Sequence, residues 1–318
     1  MKFVIKIRES KVFMQIFPVI LLGVLCALFG LITKGQFLSS YNLISVLNQC
    51  LILGTIATGA GFIFGTGNVN LAMGGTAALS AVVGGCLYLA TDSLVMAFVG
   101  CVLGGVLLSY CAIPLGNLTK MTVLTITTVM MMLYPAIQSW VLGANTISIP
   151  YTLCSSLQKI QLPLIIFIIF MVICVLVFYL TPVGREIRFL GDNEECAQLT
   201  GMSKTKIYSI AFIIGGIACG LGAFSTIVRT GNVSTTTLSS GNMNVVLSIV
   251  IGGMPIFGGY KTQPYSGFLG AVVLTVLDSG LLMAGVDSSV LQAIKGIIFM
   301  VFVVISWERP QGLATKGA

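Results

Sequence analysis

Long apolar runs separated by short polar gaps dominate the chain. They fall at about 13–33, 41–63, 74–91, 94–116, 121–142, 163–182, 207–228, 241–258, 264–284 and 290–306. A helix needs about 20 mostly apolar residues to cross a bilayer, so the pattern predicts an all-α integral membrane protein with about ten transmembrane helices. The gaps leave no room for an appended soluble domain, and residues 1–318 read as one transmembrane domain. The first run follows Lys2, Lys6, Arg8 and Lys11. It is long for a signal-peptide core and lacks a small-x-small cleavage site, so it reads as an uncleaved first span.

Composition agrees. Apolar residues make up 57% of the 318 and charged residues 8%, against roughly 25% charged in soluble proteins. The net charge of +7 sits beside the apolar runs, which points to membrane orientation rather than nucleic acid. Histidine is absent, which excludes histidine bases, His-ligated metals and a Ser-His-Asp triad. The nine cysteines include no CxxC pair, so neither a zinc site nor a disulfide framework is expected. Cys154 alone falls in an expected external loop. No motif asks for a cofactor.

With the N-terminus inside, the inner segments hold Lys2, Lys6, Arg8, Lys11, Lys120, Arg185, Arg188, Lys204, Lys206, Lys261, Arg309 and Lys316, whereas the outer ones hold only Lys34, Lys159 and Arg229. That asymmetry is what the positive-inside rule expects. Ten spans then leave the N- and C-termini cytoplasmic. The inner connection 183–206 gathers Arg185, Glu186, Arg188, Asp192, Glu194, Glu195, Lys204 and Lys206. A docking surface for a soluble partner and a solvated turn both fit such a loop. Thr66-Gly67-Asn68-Val69-Asn70 and Thr230-Gly231-Asn232-Val233-Ser234 fall on opposite faces, as an inverted repeat of spans 2–5 and 7–10 would place them.

Residues 181–201 run Thr181-Pro182-Val183-Gly184-Arg185, then Gly191-Asp192-Asn193-Glu194-Glu195-Cys196-Ala197, and end at Gly201. Asp192 or Asn193 can cap a short helix with Glu194 and Glu195 in its first turn, Ala197 leaves a small surface, and Gly201 can end it. This stretch resembles the cytoplasmic loop of the ribose-type sugar ABC importer permeases, T-x-x-G-R followed by G-x-N-x-x-A-A-x-x-x-G. Glu194 and Cys196 depart from it, standing where Pro and Ala are common. Ile251-Gly252-Gly253-Met254-Pro255-Ile256-Phe257-Gly258-Gly259 is similar to the same family's I-G-G-T-S-L-F-G-G. Gly267, Gly270, Gly280, Gly285, Val286 and Lys295-Gly296 also fall where the family has like residues. These glycines read as close helix contacts or backbone breaks rather than substrate contacts. Gly65–Gly74 departs more from the family's G-G-I-D-L-S-V-G, with Asn70 for the acidic residue and Ala72 for Ser. An amide makes hydrogen bonds without carrying charge, which fits a divergent substrate or pairing with a non-identical permease.

The resemblance implies a multi-pass permease of the bacterial cytoplasmic (inner) membrane that imports a ribose- or galactose-like sugar. It implies a coupling helix over 192–201, with Arg185, Asp192, Asn193, Glu194, Glu195, Ala197 and Gly201 meeting a cytoplasmic ABC ATPase of two fused nucleotide-binding modules. An extracytoplasmic substrate-binding protein and a second permease copy, as homo- or heterodimer, complete the implied assembly. A nucleoside or an autoinducer-2-like furanone are alternative cargoes within it.

Polar residues inside spans are costly and mark pathways. Asn48, Gln49, Asn68, Asn70, Asn117, Asn242 and Asn244 are pathway candidates that suit a neutral sugar, although an interhelical hydrogen bond is the simpler account of any one of them. Asp278 and Lys295 lie eight or nine residues from the turn near Val286–Asp287, about 12–13 Å deep at 1.5 Å per residue. They are expected to face each other as a buried ion pair, structural before catalytic of transport. Gly100/Gly104 and Gly216/Gly220 are small-xxx-small packing pairs. No G-x-x-x-x-G-K-[ST] occurs, so ATP hydrolysis is left to a partner and the chain is not itself an enzyme. A stand-alone secondary transporter, or a channel or scaffold, remains as a rival. Ion coupling would then have to use Asp278 and Lys295.

Overall fold

A computed structural model of the chain describes residues 11–159, 161–255 and 258–306. The expected cytoplasmic termini, with Lys2, Lys6, Arg8, Arg309 and Lys316, lie outside these residues, as do Ile256 and Phe257. In chain order the helices are α1 (Lys11–Ile32), α2 (Ser40–Gly65), α3 (Met73–Thr91), α4 (Leu94–Tyr110), α5 (Ala112–Thr119), α6 (Val123–Leu142) and α7 (Tyr151–Lys159). They continue as α8 (Leu162–Leu180), α9 (Pro182–Asp192), α10 (Glu194–Leu199), α11 (Lys204–Thr230), α12 (Gly241–Ile251), α13 (Ser266–Met283) and α14 (Ser288–Ser306). Seven stretches are long and apolar enough to cross a membrane: α2, α3, α4 with α5, α6, α8, α11 and α13. Shorter apolar stretches lie in α1, α12 and α14. The protein is thus an all-α integral membrane protein.

The apolar run 241–258 is not one helix, as its length predicted. α12 stops at Ile251, where Gly253 takes φ +80°. The Met254 N–H donates to Ile249 O and the Gly253 N–H to Val250 O, the two bonds that close a helix on a left-handed residue. At about 16 Å, α12 is too short to span the roughly 30 Å hydrocarbon. Run 94–116 is likewise broken at Cys111, and Pro182 opens α9 rather than closing α8. The connection 143–162 is not a plain loop. β1 (Ile147–Ser148) pairs antiparallel with β2 (Asn232–Val233), and Gln158 Nε2 on α7 donates to Val228 O at 2.7 Å. Cys154 is buried there, which pushes its thiol pKa up.

α11 is the central post. In lipid, burying apolar surface barely drives helices together, so close backbone approach has to. Gly216 lies against the Gly105 carbonyl, and Gly220 against Cys101 and Val102. Ser109 Oγ donates to Phe212 O at 2.8 Å across the same seam. On the other side of α11, Ala218 abuts Gly59 of α2. Gly100 and Gly104 face α3 instead, at Leu87 and Val83. The outside of the bundle is apolar: Ile165, Ile168, Ile169, Val172, Ile173 and Leu176 form an exposed stripe along α8, as lipid contact requires.

Gly216→Leu should cost about 1–3 kcal/mol by overpacking. Gly23→Leu, where nothing lies within 4 Å of an added Cβ, should be close to neutral. Thermal unfolding of the two purified variants in one detergent checks the contrast.

Candidate functional site

Two helices begin inside the bundle. α3 starts where Cys219 Sγ meets the Met73 carbonyl at 3.3 Å, fifteen residues into α11 and so about 22 Å from its start. α12 starts against it: a Cβ on Gly74 would overlap the backbone of Gly241 and Asn242. The first N–H groups of a helix have no partner within it and carry partial positive charge. Here Asn70 Oδ1 accepts from the Ala72 N–H at 2.9 Å, and Asn242 Oδ1 accepts from the Gly75 N–H at 2.7 Å. Two of the seven candidate amides therefore meet at one junction, each with its carbonyl bonded to the start of α3. The structure does not bring the other five to it.

Asn68 bonds within its own turn, Nδ2 donating to Thr66 Oγ1 at 3.3 Å. Gln49 Nε2 donates to Ser45 Oγ within α2 at 3.3 Å, and Asn48 is half-buried on the same helix. Asn117 is exposed on α5. Asn244 belongs to a separate cluster. Lys295 Nζ lies 2.7 Å from Asp278 Oδ2 and 2.9 Å from Asn244 Oδ1, with the lysine 5% exposed. Asp278 Oδ1 has no hydrogen-bond partner among the described residues. Nearby, Ser279 Oγ donates to Asn42 Oδ1 at 3.0 Å, and Cys50 pairs with Thr275. Asn42, Cys50, Thr275 and Ser279 gave no signal in the sequence, because small polar residues in apolar runs look alike until the helices are docked.

The charged loop folds into α9 and α10 with a corner between them. Asn193 caps α10, its Oδ1 accepting from the Cys196 N–H at 3.0 Å, and Gly201 at φ +83° ends the turn. Asp192 does not cap. Its Oδ1 accepts from the Tyr260 N–H at 2.9 Å, beside a Gly259 N–H to Gly65 O bond of 3.3 Å. Glu194 bridges to Lys204 Nζ at 3.1 Å and accepts from the Tyr208 hydroxyl at 3.4 Å. Arg185, Asp192, Asn193, Glu194, Glu195 and Gly201 are exposed. Ala197 is fully buried and cannot offer the small outer surface expected of it: it faces inward and packs in the core. Among the described residues no cluster of three or more metal-ligating side chains occurs.

The family described as branched-chain amino acid transport system / permease component matches residues 42–305. The fructose import permease protein FrcC of Rhizobium meliloti is 26% identical over 309 residues, covering 92% of this chain and 85% of the relative. The ribose import permease protein RbsC of Bacillus subtilis is 25% identical over 292 residues, covering 87% and 88%. The D-allose transport system permease protein AlsC of Escherichia coli is 26% identical, covering 82% of each. No solved structure matches the chain.

Lys295→Met alone should cost about 3–5 kcal/mol by leaving Asp278 buried and unpaired. In an Asp278→Asn background the same change should cost much less. A double-mutant cycle on unfolding midpoints checks this, and additive losses would remove the coupling.

Proposed function

The chain belongs to the branched-chain amino acid transport system / permease component family, and on that basis we propose that it is the permease subunit of an ATP-driven sugar importer in the bacterial cytoplasmic membrane. Relatives named for fructose, ribose and allose import support a monosaccharide cargo. In this reading α1, α14 and a crossing made of α12 with the non-helical chain on either side of it join the seven long spans to make ten. The N- and C-termini and the α9–α10 end then face the cytoplasm, where α9 and α10 meet a separate ATPase of two fused nucleotide-binding modules. An extracytoplasmic binding protein delivers the sugar at the β1–β2 end, and two permease copies flank the pathway.

The observation that carries the coupling role is the pair of contacts leading inward from the charged loop. Asp192 holds the Tyr260 N–H, so displacing α9 pulls on the loop that joins α12 to α13. Gly191 packs on the Gly65 carbonyl at the end of α2, next to the turn that leads to α3. Both helices that start inside the bundle thus have one end tied to the loop an ATPase would move. The turns Thr66–Asn70 and Thr230–Ser234 each follow a long helix, and Gly67 and Gly231 take φ +81° and +67°. That correspondence supports α2–α3 and α11–α12 as equivalent parts of an inverted repeat.

Uptake of labelled sugar into vesicles holding this chain, its binding protein and the ATPase should require internal ATP. Uptake without the ATPase, driven by an ion gradient, would instead identify a secondary transporter. Asp192→Ala should lower transport per ATP hydrolysed about tenfold while ATPase association is retained, and Asp192→Asn, which keeps the acceptor, should be milder. Exposed Cys196 on α10 should react with an impermeant maleimide in inside-out but not right-side-out vesicles. The reverse would refute the orientation.

A further inference from the structure

The short helix α10 carries one surface that no described part of the chain covers. Asp192, Glu194, Glu195, Lys204 and Lys206 surround it in sequence, and charges at that density keep a segment out of the hydrocarbon. Its apolar residues are therefore expected to turn inward. Ala197 does, and is fully buried. Leu199 does not: it is 88% exposed, as fully as any large apolar residue among the described ones. At about 100° per residue, Glu195 and Leu199 each stand about 160° from Ala197 and about 40° from one another. They are neighbours at i, i+4 that point away from the core.

The two glutamates of α10 are used differently. Glu194 lies on the flank, about 60° from Ala197, and is engaged within the chain. Its Oε1 accepts from Gln198 Nε2 and Lys204 Nζ, both at 3.1 Å, and its Oε2 from the Tyr208 hydroxyl at 3.4 Å. Glu195 takes none of these donors. It is exposed, and no hydrogen bond or ion pair to its side chain occurs among the described residues. A lone exposed leucine carries no message, but this one is paired with an unengaged charge on a helix whose other acid is already bound. An outward apolar anchor with a charge one turn away is how a helix is read in a partner's groove, the anchor filling a pocket and the charge fixing register.

Charge also selects the occupant. The cytoplasmic leaflet is negatively charged and repels acidic segments, and Asp192, Glu194 and Glu195 crowd this corner, so lipid is a poor cover for Leu199. A protein groove with a basic residue beside an apolar pocket suits both side chains.

We propose that α10 is recognised through Glu195 and Leu199 together, in a groove of the partner ATPase that offers an apolar pocket to the leucine and a lysine or arginine to the glutamate, roughly 5 Å away along the helix. Glu194 is instead an internal strut that holds α10 on the start of α11. This assignment rests on the ATPase reading above and adds the two contact residues and the chemistry of the surface that meets them.

The full chain in detergent is immobilised and titrated with the ATPase that supports uptake in the vesicle assay. Glu195→Gln and Leu199→Ala should each weaken binding about tenfold, as loss of one charge-assisted contact or one buried leucine does. Glu195→Lys should bind more weakly still, by like-charge repulsion. The unfolding midpoint of the chain alone should not move, because both side chains are exposed. Binding indifferent to all three changes would overturn the recognition pair and leave the ATPase reading standing, whereas no binding by the unsubstituted chain would overturn both. Glu195→Lys binding as tightly as Glu195→Gln would overturn the basic groove. A larger loss from Glu194→Gln than from Glu195→Gln would overturn the division between the two acids. In inside-out vesicles, Leu199→Cys should react with an impermeant maleimide, read at that position by mass spectrometry, and should be protected once the ATPase binds. No reaction even without the ATPase would put the side chain in lipid and overturn the docking role.

Discussion

In a membrane interior a backbone N–H without a partner has no water to turn to, and this chain starts two helices there. The cost at α3 is met from outside the helix. Asn70 reaches forward from the preceding turn and Asn242 reaches across from α12. The second contact requires the two backbones to touch, which is why Gly74 sits against Gly241 with no room for a Cβ. Satisfying one helix start therefore fixes the position of the other. It also requires α11 as a wall, since Met73 is held at Cys219 and Gly215 on that helix. The glycine seam of α11 with α4 and the amide pair at α3 are parts of one solution.

A junction fixed in this way can move only as its flanks move. The flanks are the turn 66–72 before α3 and the loop after α12, and both are tied to the charged segment. Asp192 and Gly191 pack against the Gly259–Tyr260 backbone and the end of α2. Glu194 accepts from the Tyr208 hydroxyl near the start of α11. The Gly191 and Gly259 contacts run through backbone atoms, which transmit displacement with little slack. The Lys295–Asp278–Asn244 cluster lies on the other side of α12 and braces it against α13 and α14. An ion pair there resists sliding of those three helices, which fits a bracing role better than a translocating one.

The run pattern made the helical membrane fold legible, because hydrophobic length is the constraint that lipid imposes. It could not show that 241–258 breaks at Ile251, since Gly252, Gly253, Met254 and Pro255 keep the run apolar while the Gly253 backbone turns. The charged loop was readable as a capped helix because Asn193, Glu194 and Gly201 obey local rules. Of the two cap candidates Asp192 and Asn193, Asn193 caps, while the Asp192 acceptor goes to Tyr260, 68 residues away. Ala197 was read as leaving a small surface on the helix, and small residues suit tight cores equally, where the structure puts it. The amides illustrate the general difficulty. Their cost inside a span is evident from sequence, but whether Asn242 answers to a sugar or to the Gly75 N–H depends on a partner 167 residues distant.

Asn70 also gives physical content to the departure of its segment from the family pattern. The pattern puts a carboxylate at this position, and a carboxylate could accept the Ala72 N–H as Asn70 does. The hydrogen bond is thus preserved by the exchange, and what is lost is a negative charge at the positive end of α3. The amide adds a donor, Nδ2, which reaches Met73 Sδ at 3.4 Å, a weak acceptor. Asn242 brings a second neutral carbonyl to the same helix start rather than a charge. The junction in this chain therefore keeps its geometry while its field becomes more positive than a carboxylate would leave it.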